Sequence, residues 1–352
     1  MRTPVKAAVM NAFGQPLRLQ EVPRPTRRRA DDVVVRVAGA GVCHTDVHMW
    51  KGEWRDAFGR PVALPHILGH ENVGWIEEAG EGAQAIGVEV GEKVILYPMR
   101  ACGWCRACRE GNEMLCAHGR EPGIHSLDGG YAELFVTAAR CAIPIPWVEE
   151  MPSVAPFADA GLTAYHAVKA VVNRLSPATA VGVVGIGGLG EFAVQLLKLL
   201  TQALVIAIDV DEERLTKARA LGADLSVLSV DSRFAGALRE VTGSASLNVM
   251  MDFVGAADTI QESMSALDRG GMCCVVGYGG LAAISSRQLV QGQLLIQGSL
   301  AGSYQDLRDL IELQRLGKIQ SSYKTYPLES AGDVLQMLDA GDLAERAVLV
   351  PS

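Results

Sequence analysis

Short apolar runs separated by Gly and Pro fill the chain up to about residue 155. VVVRVAGAGVC (33–43), ENVGWIEEAG (71–80) and EKVILYP (92–98) are rich in Val and Ile and bounded by turn residues, which predicts strands. Their Gly punctuation predicts an all-β core, barrel-like, with long loops. Near Pro156 the period changes. VGVVGIGGLG (181–190) runs into the helical pattern EFAVQLLKLL, and ALVIAIDV (203–210) into DEERLTKARALG (211–222). SLNVMMDFVG, GMCCVVGYGG and QLLIQGSL follow as runs expected to be buried. Strands alternating with helices predict a parallel, doubly wound α/β sheet. The last fifty or so residues, helical at YQDLRDLIELQRLG and ending in RAVLVPS, are expected to return to the first domain.

A length of 352 residues fits two domains, and 49% hydrophobic residues supply two cores. The formal net charge of −8 makes nucleic acid and anionic membrane poor partners, and no apolar run is long enough to span a bilayer. The start MRTPVKAAVMNAFGQP is too short in its apolar part for a signal peptide, so a cytoplasmic location is expected. Eight cysteines in such a chain read as ligands or buried thiols before disulfides.

GIGGLG, Gly185 to Gly190, sits between a strand-like run and a helix. Gly185 permits a tight turn, Gly187 lets backbone approach a pyrophosphate, and Gly190 lets the helix pack closely. Gly188 and Leu189 complete the loop, whose helix N-terminus offers amide donors to a phosphate. Asp209, nineteen residues after Gly190, stands where a carboxylate accepts from ribose hydroxyls and repels a 2′-phosphate. That favours NAD over NADP, with Arg214 within reach of the ribose or of Asp209. A Gly-rich turn that binds nothing is the plain alternative.

CGWCRACREGNEMLC places Cys102, Cys105, Cys108 and Cys116 at C-x2-C-x2-C-x7-C. Four thiolates so spaced close a structural zinc shell. An iron–sulfur centre shares the first two spacings but calls for x3 before the fourth Cys, followed by Pro. A zinc-ribbon module for nucleic acid, suggested by Arg106, Arg109 and Arg120, has little to support it beside a dinucleotide half. GVCHTDVH and LGHENVG add Cys43 and His70, ligand types that zinc prefers. Alone, a Cys is usually a small hydrophobe and a His a satisfied polar residue. Together, and beside a dinucleotide fold, they predict a catalytic zinc with one open position.

From VKAAVM through GVCHTD, GHENVG, the cysteine lobe, DAGLTAYHAV and GIGGLG to RAVLVP, the chain resembles the zinc-containing medium-chain alcohol dehydrogenases. The resemblance implies a GroES-like β-barrel catalytic domain over 1–158 and 299–352, with the zinc lobe at about 98–118, and a Rossmann NAD-binding domain over 159–298. It implies NAD and two zinc ions, one catalytic and one structural. Cys43 and His70 become ligands, with Glu71 beside the metal and, as in some members, binding it when the water leaves, and Asp46 accepting a hydrogen bond from His70. Thr45 becomes the hydroxyl at the substrate oxygen and His48 the end of a proton relay. His44 and Arg346 face cofactor phosphates, while backbone at Val276 and Leu300 meets the nicotinamide. The family often has Cys as third ligand; here the position is Asp159, a competent zinc ligand at about 2.0–2.2 Å. The alternative is that Asp159 caps the following helix.

The implied reaction is reversible NAD-dependent oxidation of a primary or secondary alcohol to an aldehyde or ketone. The apolar and aromatic stretch HMWKGEWRDAF points to hydrophobic substrates, with Trp50, Trp54 and Trp104 either at the entrance or in surface packing. A polyol or sugar dehydrogenase of the same fold is the second reading; the complete cysteine lobe argues against it. A metal-free quinone-reductase-like or purely binding member is the third, opposed by Cys43, His70 and the lobe. Cys273 and Cys274 read as core, and Cys141, His66, His118, His125 and His166 receive no role. A homodimer or homotetramer, with QLLIQGSL at its interface, follows from fold analogy alone.

Overall fold

The computed structural model describes residues 3–55, 61–124, 127–243 and 245–352. The chain divides into two compact units: 1–159 with 303–315 and 321–352, and 160–302 with 316–320. The sequence boundaries at 158/159 and 298/299 differ from these by a few residues, and 316–320 goes with the second unit.

The strands in chain order begin with β1 (Val5–Met10), β2 (Arg18–Val22), β3 (Asp32–Gly41) and β4 (His66–Ile67). They continue with β5 (Glu71–Ala79), β6 (Lys93–Leu96), β7 (Leu134–Ala138) and β8 (Ala142–Pro144). The parallel set is β9 (Thr179–Val184), β10 (Leu204–Asp209), β11 (Leu225–Leu228), β12 (Ser246–Asp252), β13 (Met272–Val275) and β14 (Leu295–Gly298). Then come β15 (Tyr323–Pro327) and β16 (Arg346–Val350).

The first unit is built on β-structure. β1 pairs with β2 and β4 in a small antiparallel sheet, while β15-β16-β3-β5-β6-β8 follow one another in a larger one, with β7 on β3. β3 explains the continuous apolar run VVVRVAGAG: nine of its ten residues are buried, because it has neighbours on both edges and core on both faces. The exception, Arg36, lies over the Trp75 ring at 4.1 Å. Register shifts at Val34/Val35 and Val37/Gly39 bend β3 against β5, which suits the curved sheet expected of a barrel-like core. Met10, Val35, Ile76, Leu96, Tyr131 and Phe135 are among the buried core, each apolar side chain contributing roughly 1.5–3 kcal/mol.

The second unit carries the parallel sheet, ordered β11-β10-β9-β12-β13-β14. That order reverses direction at β9, so the loop after β9 opens at the crevice where such sheets bind ligands. The helix Gly188–Leu200 follows directly, with Phe192, Val194, Leu196 and Leu197 buried. Cys273 and Cys274 are core residues, as expected, and burial pushes both thiols up to about 12.

One expectation fails. The run QLLIQGSL is apolar, yet all four residues of β14 are exposed, Leu295 at 45% and Ile296 at 37%. β14 is the edge of its sheet and has only β13 beside it, so apolar composition does not amount to burial there.

Candidate active site

β3 ends at Gly41, and Cys43 opens the helix His44–Lys51. The Cys43 N–H donates to Asp46 Oδ2 at 3.0 Å, so the carboxylate of the first turn closes back on the helix start. The other oxygen, Oδ1, accepts the Gly69 N–H at 3.1 Å, one residue before His70. Tyr131 donates its hydroxyl to Oδ2 at 3.0 Å, and burial together with Asp46 pushes that phenol well above its ordinary range. His70 Nδ1 faces Asp46 Oδ1 at 3.3 Å, outside hydrogen-bond geometry but on the side the sequence reading anticipates. One fully buried carboxylate therefore touches both ligand-bearing segments.

Asp159 enters at the end of the 3-10 segment Met151–Ala158 and turns its carboxylate toward Cys43 and His70. Ligand atoms of Cys43, His70, Glu71 and Asp159 all lie within 4.8 Å of one another. Asp159 Oδ2 is 3.4 Å from His70 Nε2 and 3.6 Å from Cys43 Sγ. Tetrahedral zinc with ordinary Zn–N, Zn–O and Zn–S bonds separates N from O by roughly 3.4 Å and S from O by roughly 3.6 Å. The donor set and the two Asp159 spacings thus fit a zinc ion, with Glu71 within reach of the same cluster. Charge points the same way. Burial works to push His70 down, but Asp46 and Asp159 outweigh it and hold the imidazole well above its usual range. Burial works to raise Asp159, but His70 outweighs it and holds the carboxyl down at about 2. A thiol and several carboxylates around one imidazole form a pocket that a dication would balance.

Glu71 is fully buried beside this cluster and gripped by both guanidinium arms of Arg346, Nε at 3.1 Å from Oε2. Burial pushes its carboxyl up to about 7 against the pull of Arg346. The bidentate fork favours the ionised pair. Gly41 is required here, because a Cβ would stand 1.9 Å from Glu71 Oε2. Arg346, expected at a cofactor phosphate, is found on Glu71, a pairing that no motif announced.

Thr45 is half-buried in the first turn, and His48 lies three residues on, on the same helix face. His48 Nδ1 is 2.5 Å from Glu53 Oε2, and its ring stacks on Trp54 at 4.8 Å. His44 is exposed at the helix start. Trp50 is tied to the Gln15 carbonyl at 2.7 Å, and Trp104 is 67% exposed on the cysteine lobe. Burial pushes the Glu121 carboxyl up to about 7, where it interacts electrostatically with His70 and Asp159; it belongs to no motif and the sequence reading missed it. Residues 56–58 of the aromatic stretch, and His125, lie outside the described residues.

In the cysteine lobe the sulfurs of Cys102 and Cys108 are 3.8 Å apart, Cys105 and Cys108 3.5 Å, and Cys105 and Cys116 3.8 Å. A zinc tetrathiolate needs edges of roughly 3.8 Å. Backbone N–H groups of Cys102 and Cys105 donate to Cys116 and Cys102 sulfurs. The Trp104 backbone N–H draws the Cys102 thiol down to about 6, while burial and the neighbouring thiols push Cys108 up to about 12. Four such thiols ionise together only around a cation.

In the second unit Gly185 turns with φ +86°, and the Ile186 N–H donates to Asp209 Oδ2 at 2.6 Å. Oδ1 accepts from Val210 at 2.8 Å and Asp211 at 3.1 Å, with Arg214 Nη1 at 4.0 Å. Asp209 is thereby fixed at the end of β10 beside the glycine loop. A Cβ on Gly190 would meet the Gly185 carbonyl at 2.1 Å, whereas one on Gly187 meets nothing within 4 Å. The loop is therefore closed toward its helix and open above Gly187, where helix-end amides at Gly188 and Leu189 favour an anion. Val276 is buried just past β13, and Leu300 is 39% exposed just past β14.

The Alcohol dehydrogenase GroES-like domain family matches residues 29–147, and the Zinc-binding dehydrogenase family matches 188–315. An alcohol dehydrogenase of Geobacillus stearothermophilus is 36% identical over 349 residues, 98% of this chain and 99% of the relative. The NADP-linked D-arabinose 1-dehydrogenase of Saccharolobus solfataricus is 32% identical, covering 98% of this chain and 97% of its own. Among solved structures, the alcohol dehydrogenase of the hyperthermophilic archaeon Aeropyrum pernix superposes with a TM-score of 0.93 at 42% identity, covering 98% and 100% of the two chains.

Replacing Asp159 by Ala removes one donor from the Cys43–His70 cluster and leaves the cysteine lobe untouched. Elemental analysis should then fall from two zinc ions per chain to one. Two retained ions would rule out Asp159 as a ligand.

Proposed function

The chain belongs to the zinc-containing medium-chain dehydrogenase/reductase family and is an NAD-linked alcohol dehydrogenase by class; we propose that it interconverts hydrophobic primary or secondary alcohols with their aldehydes or ketones, using zinc held by Cys43, His70 and Asp159. The observation that carries this reading is the match of Cys43, His70 and Asp159 spacings to tetrahedral zinc. A second zinc belongs with Cys102, Cys105, Cys108 and Cys116 and stiffens the lobe. When bound, zinc supplies stabilisation of negative charge on the substrate oxygen, and the nicotinamide supplies the hydride acceptor.

The remaining work is done by side chains. Asp46 faces Nδ1 of the His70 ring, which leaves Nε2 turned toward the cluster. Thr45 accepts the alcohol proton at Oγ1 as its own hydroxyl proton leaves, and His48 is the group that passes a proton on to solvent. Glu53, at 2.5 Å, and the Trp54 stack fix the His48 ring for that task. Glu71 stays beside the metal ligands, held by Arg346. By the family resemblance, His44 and Arg346 are assigned to cofactor phosphates, and the backbone at Val276 and Leu300 to the nicotinamide.

The relative from Saccharolobus uses NADP, so cofactor choice in this chain turns on Asp209. Its carboxylate is held in place by three backbone N–H groups, and a carboxylate there disfavours a 2′-phosphate. None of the eight cysteines is in a disulfide, and among the described residues no helix is long and apolar enough to cross a membrane. We read the location as cytoplasmic. A second copy of the chain is the expected partner. β14 offers an unpaired edge and Leu295, Ile296 and Leu300 as exposed apolar side chains.

Purified zinc-loaded protein should reduce NAD with aliphatic, benzylic and secondary alcohols, and with higher kcat/KM than NADP. Turnover confined to polyols would move the substrate to the sugar class; a preference for NADP would remove Asp209 from its role. Thr45→Ala should lower kcat by about 100-fold or more with zinc content unchanged, since positioned proton transfer is worth roughly 10²–10⁴-fold. An unaltered kcat would refute the relay. Ile296→Lys should shift the protein to a smaller species in light scattering, and an unchanged mass would take β14 out of the interface.

A further inference from the structure

On the first unit, beside the cysteine lobe, lies a groove of about 890 Å³ that the alcohol reaction does not use. Six arginines line it: Arg24, Arg28, Arg29, Arg100, Arg120 and Arg140. Only two carboxylates, Asp32 and Asp128, line it with them. Asp32 is 1% exposed and fully engaged. One of its oxygens meets Arg100, and the other accepts backbone N–H groups of Arg28 at 2.8 Å and Arg29 at 2.9 Å. Arg24 is held by Glu77 at 3.0 Å and Glu78 at 3.2 Å. Among the described residues, no carboxylate pairs with Arg28, Arg29, Arg120 or Arg140. Arg120 donates to the Gly119 carbonyl at 2.8 Å, which orients the guanidinium without neutralising it.

This concentration of positive charge occurs on a chain with a net charge of −8. Guanidinium groups gathered in a concavity repel one another and focus a positive potential. An anion with several oxygens relieves that repulsion, and phosphate matches the planar guanidinium fork. Trp104 and His118 also line the groove, stacked with ring centres 5.7 Å apart, and Trp104 is 67% exposed. An exposed stacked indole is a seat for a planar ring. The volume is that of a small-molecule site, about 300–1,000 Å³, not of a polymer track.

We propose that this groove binds a small anion carrying two or more phosphates, held by Arg28, Arg29, Arg120 and Arg140, with Trp104 as ring platform. It shares Cys102 with the cysteine lobe it adjoins and has no residue in common with the Cys43–His70–Asp159 cluster or the glycine loop.

The test titrates inorganic pyrophosphate into zinc-loaded protein saturated with NAD, which occupies the glycine loop. Calorimetry should show one equivalent bound, with affinity falling as salt rises. Tryptophan fluorescence should change on binding, and Trp104→Phe should abolish the change. An Arg120→Gln/Arg140→Gln double variant should weaken binding about tenfold or more while zinc content and alcohol turnover hold. Should that variant disturb the lobe, Arg28→Gln/Arg29→Gln, on the opposite side of the sequence, should give the same loss. Absent binding, or binding that both double variants leave intact, overturns the proposal. A ribo-oligonucleotide that binds these arginines more tightly than pyrophosphate overturns the small-ligand assignment.

Discussion

The buried carboxylate of Asp46 is the contact on which the Cys43–His70–Asp159 cluster depends. Cys43 and His70 lie on separate segments, one after β3 and one before β5, and nothing covalent keeps them in register. Asp46 accepts from the backbone of Cys43 and of Gly69, so it fixes the start of one segment and the approach to the other. It also receives the Tyr131 hydroxyl and faces His70. Each donor left without an acceptor at that depth costs about 1–3 kcal/mol. The same group thus sets backbone position and ring orientation, which a ligand shell accurate to a few tenths of an ångström requires.

Around this anchor the site is a problem in charge. Cys43, Glu71, Asp159 and Asp46 surround His70, and Arg346 is committed to Glu71. Burial raises the cost of every unbalanced charge. The cluster tolerates it because each carboxylate has a donor or cation beside it, and a zinc ion would complete the balance. The cysteine lobe follows the same logic with sulfur alone. The arginine groove next to it inverts the sign, with four guanidinium groups that no carboxylate pairs among the described residues, so the first unit places opposite electrostatic environments only a short distance apart in sequence at Arg100 and Cys102.

In the second unit geometry matters more than charge. Gly185, Gly187 and Gly190 have different duties, and the structure separates them: a left-handed turn, an open approach and a closed helix contact. Asp209 is held by three backbone donors, so its carboxylate is already ordered beside the glycine loop.

Local pattern carried much of this protein. The parallel sheet was legible because GIGGLG, Asp209 and the strand–helix alternation each depend on neighbours in sequence. The cysteine lobe was legible for the same reason, its four sulfurs lying within fifteen residues. Cys43 and His70 could be named as ligand types, and the family resemblance singled out Asp159. Only the fold brought Asp159 within 3.6 Å of Cys43 across 116 residues. Tertiary structure alone decided the Glu71–Arg346 pair, 275 residues apart, and the reach of Asp46 to Gly69. It also decided that the apolar run of β14 is exposed, because hydropathy records a residue's preference while burial depends on which elements lie beside it. Sequence determines chemistry wherever the reacting groups share a local segment; where they are joined through space, the register of strands and the depth of burial decide.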